Sequence, residues 1–253
     1  SSYTRKILEK FGMSRCRPCS TPITKSEKDL SGNEAETEDV KFPYRSAVGA
    51  LMYLMTGTRP DIAYAVGVAS RSLENPSKSN VVQVKQIFRY LQGTVDIGII
   101  YKSGQSNALT AYSDADHGGD KTSGRSTSGV LCMFAGGVVS WSSQRQASVA
   151  ISTTEAEIVA ASEATREVVW LKRLLNDIVE LKEKPEILVD NEAAIRLAHN
   201  PELHRRTKHI LIRHFFVREK VSEGEVSVER VTTELQVADA LTKPLLGLGL
   251  LQF

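Results

Sequence analysis

Apolar positions in the first hundred residues recur at helical spacing. Residues 3–13 set Ile7, Leu8 and Phe11 on one stripe, which breaks at Arg17-Pro18 and Thr21-Pro22. From 25 to 41 the chain is polar and acidic with no period, the pattern of a solvated loop. Three further helical segments follow. Residues 44–55 carry Val48, Leu51, Met52 and Met55 on one stripe. A second segment starts around Arg59-Pro60-Asp61, where a proline gives up no bonded N–H, and turns Ile62, Ala65, Val66 and Ala69 inward. The third, 81–91, sets Val84, Ile87, Phe88 and Leu91 against outward Lys85 and Arg89 until Gly93 stops it. This half predicts a small packed helical domain over 1–103 and holds no reaction centre.

Beyond residue 103 the period changes. Residues 109–113 form a short strand running into acids, and 128–135 with 138–142 read as a hairpin about Gly136-Gly137. A long helix over 152–175 comes next, then a short buried strand at 186–189 and a helix over 191–198. Residues 208–222 are helical, 225–231 form a strand, and 235–241 begin a last helix. Three antiparallel strands followed by alternating helix and strand predict an α/β domain over 107–246. Its mixed five-stranded sheet is flanked by helices, with the seam near 103–106.

Composition narrows the class. The chain of 253 residues is 41% hydrophobic and 25% charged, the proportions of a globular protein with a sizeable core. No apolar run approaches the roughly 20 residues that span a bilayer, so no membrane partner is expected. Formal net charge is +2, so nucleic-acid binding requires a local basic face. Cys16 and Cys19 form a CxxC, but Cys132 is the only other cysteine and no second pair completes a zinc site. Free thiols in a reducing compartment are expected. The chain has no initiator Met and opens inside a helical pattern, which leads to the expectation of a piece of something longer.

The chemistry lies in isolated acids at element ends. Asp114 closes the first strand, Asp190 closes the fourth, Glu157 sits in the first turns of the long helix, and Asp239 near the start of the last. An acid at the end of an apolar strand is costly to place unless a cation binds it, and hard divalent cations prefer carboxylates. Singly, each has a bland reading: Asp190-Asn191 as a helix cap, Asp239 as a helix-start charge, Asp114 as a turn residue. The set and its order point to metal. Ser152 and Glu155 have capping-box spacing, which assigns Glu155 to the helix start and leaves Glu157 for the metal.

The run YSDADHGGDKTSGRSTSGVLCMFAGGVVSWSSQRQASVAISTTEAEIVAASEA resembles the ribonuclease H domain of Ty1/copia-type retrotransposon Pol polyproteins. ILVDNEAAIRLAHNP, RTKHILIRHFFVREKV and VADALTKPL resemble it in the same order. FGMSRCRPCSTPI, YRSAVGALMYLMTGTRPDIAYAV and FRYLQGTVDIGIIY are similar to the thumb- or connection-like region before it. The resemblance implies a ribonuclease H-like fold and two Mg²⁺ or Mn²⁺ ions on Asp114, Glu157, Asp190 and Asp239. It further implies an RNA–DNA hybrid as substrate and a reverse transcriptase upstream in the same polyprotein. The site of action would be a cytoplasmic retrotransposon particle or the nucleus. Where relatives read KHIDIRYHFIRE, this chain has Leu211 for an acid and Phe215 for a His. His209 matches the pattern and could move a proton at product release; His214 is displaced by one.

Lys121, Arg125, Arg145 and Lys208 are candidates for phosphate contacts, with Ser126, Ser142 and Asn191 for sugar or phosphate hydrogen bonds. Trp141 is expected to fill the hairpin. Two rival functions stand beside the hybrid-specific endonuclease. One is a catalytically weakened or domesticated nucleic-acid-binding module. The other, an integrase-like nuclease, is disfavoured because no His/Cys zinc module is present.

Overall fold

The computed structural model of the chain describes residues 2–24, 42–101, 104, 107–179, 181–199 and 208–244, with side chains from 212 onward in the last stretch. It divides into two compact units, one running to Ile99 and the other covering Ile100–Lys243.

Among the described residues the first unit holds four α-helices: α1 (Ser2–Lys10), α2 (Tyr44–Thr58), α3 (Ala63–Ser70) and α4 (Lys78–Gly93). Their predicted stripes are largely the buried faces, including Ile7 and Leu8, Val48 and Leu51, Val66 and Ala69, and Ile87, Phe88 and Leu91. Met52 is a correction: it is 41% exposed, and Leu54 is buried in its place. Helix α4 starts earlier than its apolar pattern because Ser77 and Asn80 close a capping box, and polar residues leave no mark on a hydrophobic period. A 3-10 turn at Pro60–Ile62 precedes α3. It carries a buried pair in which Arg59 donates from Nε and Nη2 to the Asp61 carboxylate, which also accepts from Tyr90 Oη at 2.8 Å.

The second unit contains β1 (Thr110–Ala115), β2 (Thr127–Phe134), β3 (Gly137–Arg145), α5 (Thr153–Asn176), β4 (Glu186–Val189), α6 (Glu192–His199), α7 (Lys208–Ser222) and β5 (Ser227–Arg230). The sheet order is β3-β2-β1-β4-β5, with β1–β2 and β2–β3 antiparallel and β1–β4 and β4–β5 parallel. This is the expected mixed five-stranded sheet flanked by helices. Ala111, Val130, Ile187 and Val189 pack against Ile158, Ala161 and Val168 of α5 in one buried cluster.

Two local expectations are corrected. The hairpin turns at Ala135 (φ 51°) and Gly136 (φ 73°), and Gly137 is the first residue of β3. A side chain at 137 would meet the Tyr101 ring at 2.6 Å, so that glycine answers to packing and not to the turn. The last helix is two 3-10 turns, Thr233–Leu235 and Val237–Leu241. Ser143 Oγ of the sheet donates to Leu241 O at 2.6 Å, a carbonyl that a continuing helix would bond within itself.

Candidate metal centre

The parallel pairing of β1 with β4 builds the centre of the site. Tyr112 lies opposite Leu188, so Asp114 and Asp190 stand two residues further on, at the carboxyl ends of adjacent strands. Strand β1 is central and bonded on both sides, which fixes the spacing of these two acids. Helix α5 delivers the third. Ser152 caps it, accepting from Glu155 N at 3.2 Å, and Glu157 Oε1 accepts from Ala115 N at 3.3 Å. Asp114, Glu157 and Asp190 each offer a carboxylate oxygen within 4.8 Å of the others.

Glu155 and Glu157 divide as the sequence predicts, with one adjustment. Glu155 Oε2 reaches back past the cap residue to accept from Ile151 N at 2.9 Å. Asp116, just after β1, is likewise committed elsewhere, since its Oδ1 accepts from Thr127 N at the start of β2.

Asp239 lies outside this three-oxygen group. It sits on the Val237–Leu241 turn, buried, with its Oδ1 2.8 Å from Lys243 Nζ. Three contacts moor the turn to the sheet. Gln236 Nε2 donates to Ser113 O at 3.0 Å, Ser143 Oγ donates to Leu241 O at 2.6 Å, and Thr242 Oγ1 donates to Asp114 Oδ2. Gly129, opposite Asp114 in the ladder, makes room for it. A Cβ there would meet Thr242 Cγ2 at 2.8 Å and Ala238 O at 2.9 Å.

Crowding acids into a buried site disfavours their charge. Burial, then the charges of Asp114 and Asp190, pushes Glu157 up to about 9. Burial also raises Asp114 to about 7; the Thr242 hydroxyl opposes the rise and Asp239 adds to it. Asp190 is raised by burial and by Asp239. Burial pulls the Lys243 ammonium down, but its bond to Asp239 and the charges of Asp239, Asp114 and Asp190 outweigh that and raise it.

The candidate substrate residues are less uniform. Lys121 is exposed and Arg125 half-buried in the loop between β1 and β2. Arg145 pairs with Asp120 Oδ2 at 2.6 Å. Ser126 is fully buried, and its Oγ accepts from Gly118 N at 3.1 Å within the loop. Ser142 is half-buried opposite Val130. Asn191 Oδ1 accepts from Ala194 N at 3.0 Å and caps α6. Lys208 and His209 lie in the first turn of α7, and their side chains are outside the described residues. His214 is buried with Nε2 2.6 Å from Leu197 O, a packing role. Thr242, Lys243, Gln236 and Gly129 were not singled out from sequence. Only the hydroxyl and cation three and four positions after Asp239 gave any sign.

A central β1, an antiparallel β2–β3 on one side, a parallel β4–β5 on the other and acids at the carboxyl ends of β1 and β4 define a ribonuclease H-like domain. The chain is 43% identical over 246 residues to the retrovirus-related Pol polyprotein from transposon TNT 1-94 of Nicotiana tabacum, covering 95% of this chain and 18% of that protein. It is 39% identical over 245 residues to the corresponding polyprotein from transposon RE1 of Arabidopsis thaliana, covering 96% and 16%. The chain belongs to the Ty1/copia-type retrotransposon Pol polyproteins, and spans less than a fifth of the length of these curated relatives. No family model matches it. Among solved structures it is similar to the N-terminal ribonuclease H domain of rv2228c from Mycobacterium tuberculosis. The TM-score is 0.41 at 15% identity, over 54% of this chain and 91% of that one, a likeness too loose to carry chemistry.

Proposed function

We propose that the second unit is a metal-dependent endonuclease that hydrolyses the RNA strand of RNA–DNA hybrids during retrotransposon reverse transcription. The observation that carries this reading is Glu157. Its Oε2 is buried without a hydrogen-bond partner, beside two further carboxylate oxygens within 4.8 Å. An orphaned carboxylate in such company fits a hard divalent cation, which takes oxygen ligands and offsets the burial of negative charge.

Asp114, Glu157 and Asp190 would hold Mg²⁺ or Mn²⁺, with Asp239 as the fourth ligand of a two-ion set. Such ions, when bound, supply Lewis acidity to an in-line displacement at phosphorus. The chain's own part is positioning. The paired ends of β1 and β4 fix Asp114 and Asp190, the Ala115 N–H orients Glu157, and Thr242 orients Asp114. His209, at the start of α7, would give or accept a proton as product leaves. Lys121, Arg125, Arg145 and Lys208 would meet phosphates, and Ser142 and Asn191 the sugars. Cleavage would be independent of sequence, because backbone geometry is what such contacts read.

The first unit would be the thumb- or connection-like region that joins the polymerase upstream. Activity would belong to a cytoplasmic particle or the nucleus. Among the described residues no helix is long and apolar enough to cross a membrane.

The test is cleavage of a labelled RNA–DNA hybrid in Mg²⁺, beside an Asp190→Asn variant. The variant is expected to lose about a hundredfold or more, since even outer partners of a metal site are worth roughly 10–100-fold. A second reading, a nucleic-acid-binding module that no longer cuts, is favoured by Lys243 on Asp239 and by Leu211 and Phe215 in the α7 stretch. Retention of hybrid with no cutting by the unaltered chain would select it.

A further inference from the structure

Lys243 follows Asp239 by four residues and stands with its ammonium 2.8 Å from Oδ1. Among the described residues it is the one cation paired with any of the four acids. Its position is fixed from the side of the backbone. Thr242, wholly buried, donates to Asp114, and the turn before it is moored to Ser113 and Ser143. The lysine therefore leaves a segment that is itself part of the acidic centre. Its side chain nonetheless keeps 45% of its exposure, against 11% for Asp239. The lysine side chain is thus far more open to water than the carboxylate it pairs with.

We propose that Lys243 is the resident counter-ion of the acidic cluster, displaced from Asp239 when a divalent cation binds, and that it thereby sets the metal affinity of the site. The inference rests on the metal-binding reading above. An ion bound through Asp239 Oδ1 would meet the ammonium at contact distance and repel it, so the lysine would swing outward as the ion enters. A half-exposed pair is weak enough to be broken this way, and strong enough to weaken apparent binding measurably. In the metal-free protein the same pair keeps the buried Asp239 from standing uncompensated.

The test is calorimetric titration of the full chain with MnCl₂ and with MgCl₂ at low ionic strength. Lys243→Gln is expected to bind about fivefold more tightly than the unaltered chain, the size of a half-exposed ion pair. Lys243→Arg, which keeps the charge, should stay within about twofold. Lys182→Gln removes a charge from an exposed position outside the site, and should change nothing. The gap between Lys243→Gln and the unaltered chain should narrow as salt is added, because the ammonium is partly screened. Equal affinities for the unaltered chain and Lys243→Gln would overturn the inference, as would an equal gain in Lys182→Gln. If the unaltered chain binds neither ion, or binds no better than Asp190→Asn, the metal reading itself falls.

Discussion

Glu155 and Glu157 are separated by a single residue and do unlike work. Glu155 spends its carboxylate on the Ile151 N–H at the start of α5, so Glu155→Ala should lower stability by about 1 kcal/mol in urea denaturation while cleavage of hybrid remains. Glu157→Gln should abolish cleavage; equal losses in the two variants would show the division to be wrong. Glu157 also makes the metal-free protein sensitive to pH. Its proton leaves the unfolded chain near 4.5 and the folded one near 9, and Asp114 behaves alike between 3.8 and about 7. Across that window the unfolded chain binds fewer protons, so stability falls as pH rises. Melting temperature in EDTA should therefore decline from about pH 5 to about pH 9, and Mg²⁺ should flatten the decline. A flat EDTA profile would contradict the burial argument. At this scale the sequence displayed Asp114 and Asp190 because each ends an apolar strand, and Glu157 because the Ser152–Glu155 capping spacing left it unexplained. Thr242 was not singled out, since a polar residue after a short helix-like run is ordinary until its partner, 128 positions earlier, is known.

Between elements, the site depends on how closely the Val237–Leu241 turn approaches the sheet, and Gly129 governs that distance. Gly129→Ala would press a methyl into Thr242, Ala238 and Leu241 at 2.8–3.0 Å. A loss of about 1–3 kcal/mol is expected from the overpacking, together with weaker Mn²⁺ binding as Thr242 leaves Asp114. If Mn²⁺ affinity is unchanged in that variant, the turn does not position Asp114. Most strands and helices were legible because hydrophobic period identifies the face that packs, as along α5 and β4. The closing segment was not. Its Ala238 and Leu241 carry a helical spacing, but Gln236, Ser143 and Thr242 draw its polar groups to the sheet and tighten it into 3-10 turns. The turn at Ala135 was missed for a similar reason, because Gly137 is required by Tyr101 and only seemed to be required by the hairpin.

The described residues form two compact units, and the first can be tested through its buried ion pair. In the first unit Arg59 and Asp61 are 2% and 4% exposed, so removing one partner leaves the other uncompensated. Asp61→Ala should cost about 3–5 kcal/mol there. Amide hydrogen exchange should rise over α2, α3 and α4 and stay unchanged over β1, β2 and α5. Uniform acceleration across both units would show that they unfold as one. In the second unit, Thr242 fastens the closing turn onto Asp114, on the first strand of the sheet. A ribosome must therefore release almost the whole unit before Asp114 meets its last neighbour. Until then Asp114, Glu157 and Asp190 stand without the turn that Thr242 fastens onto them, so the acidic cluster is the last part of this unit to be completed as the chain emerges.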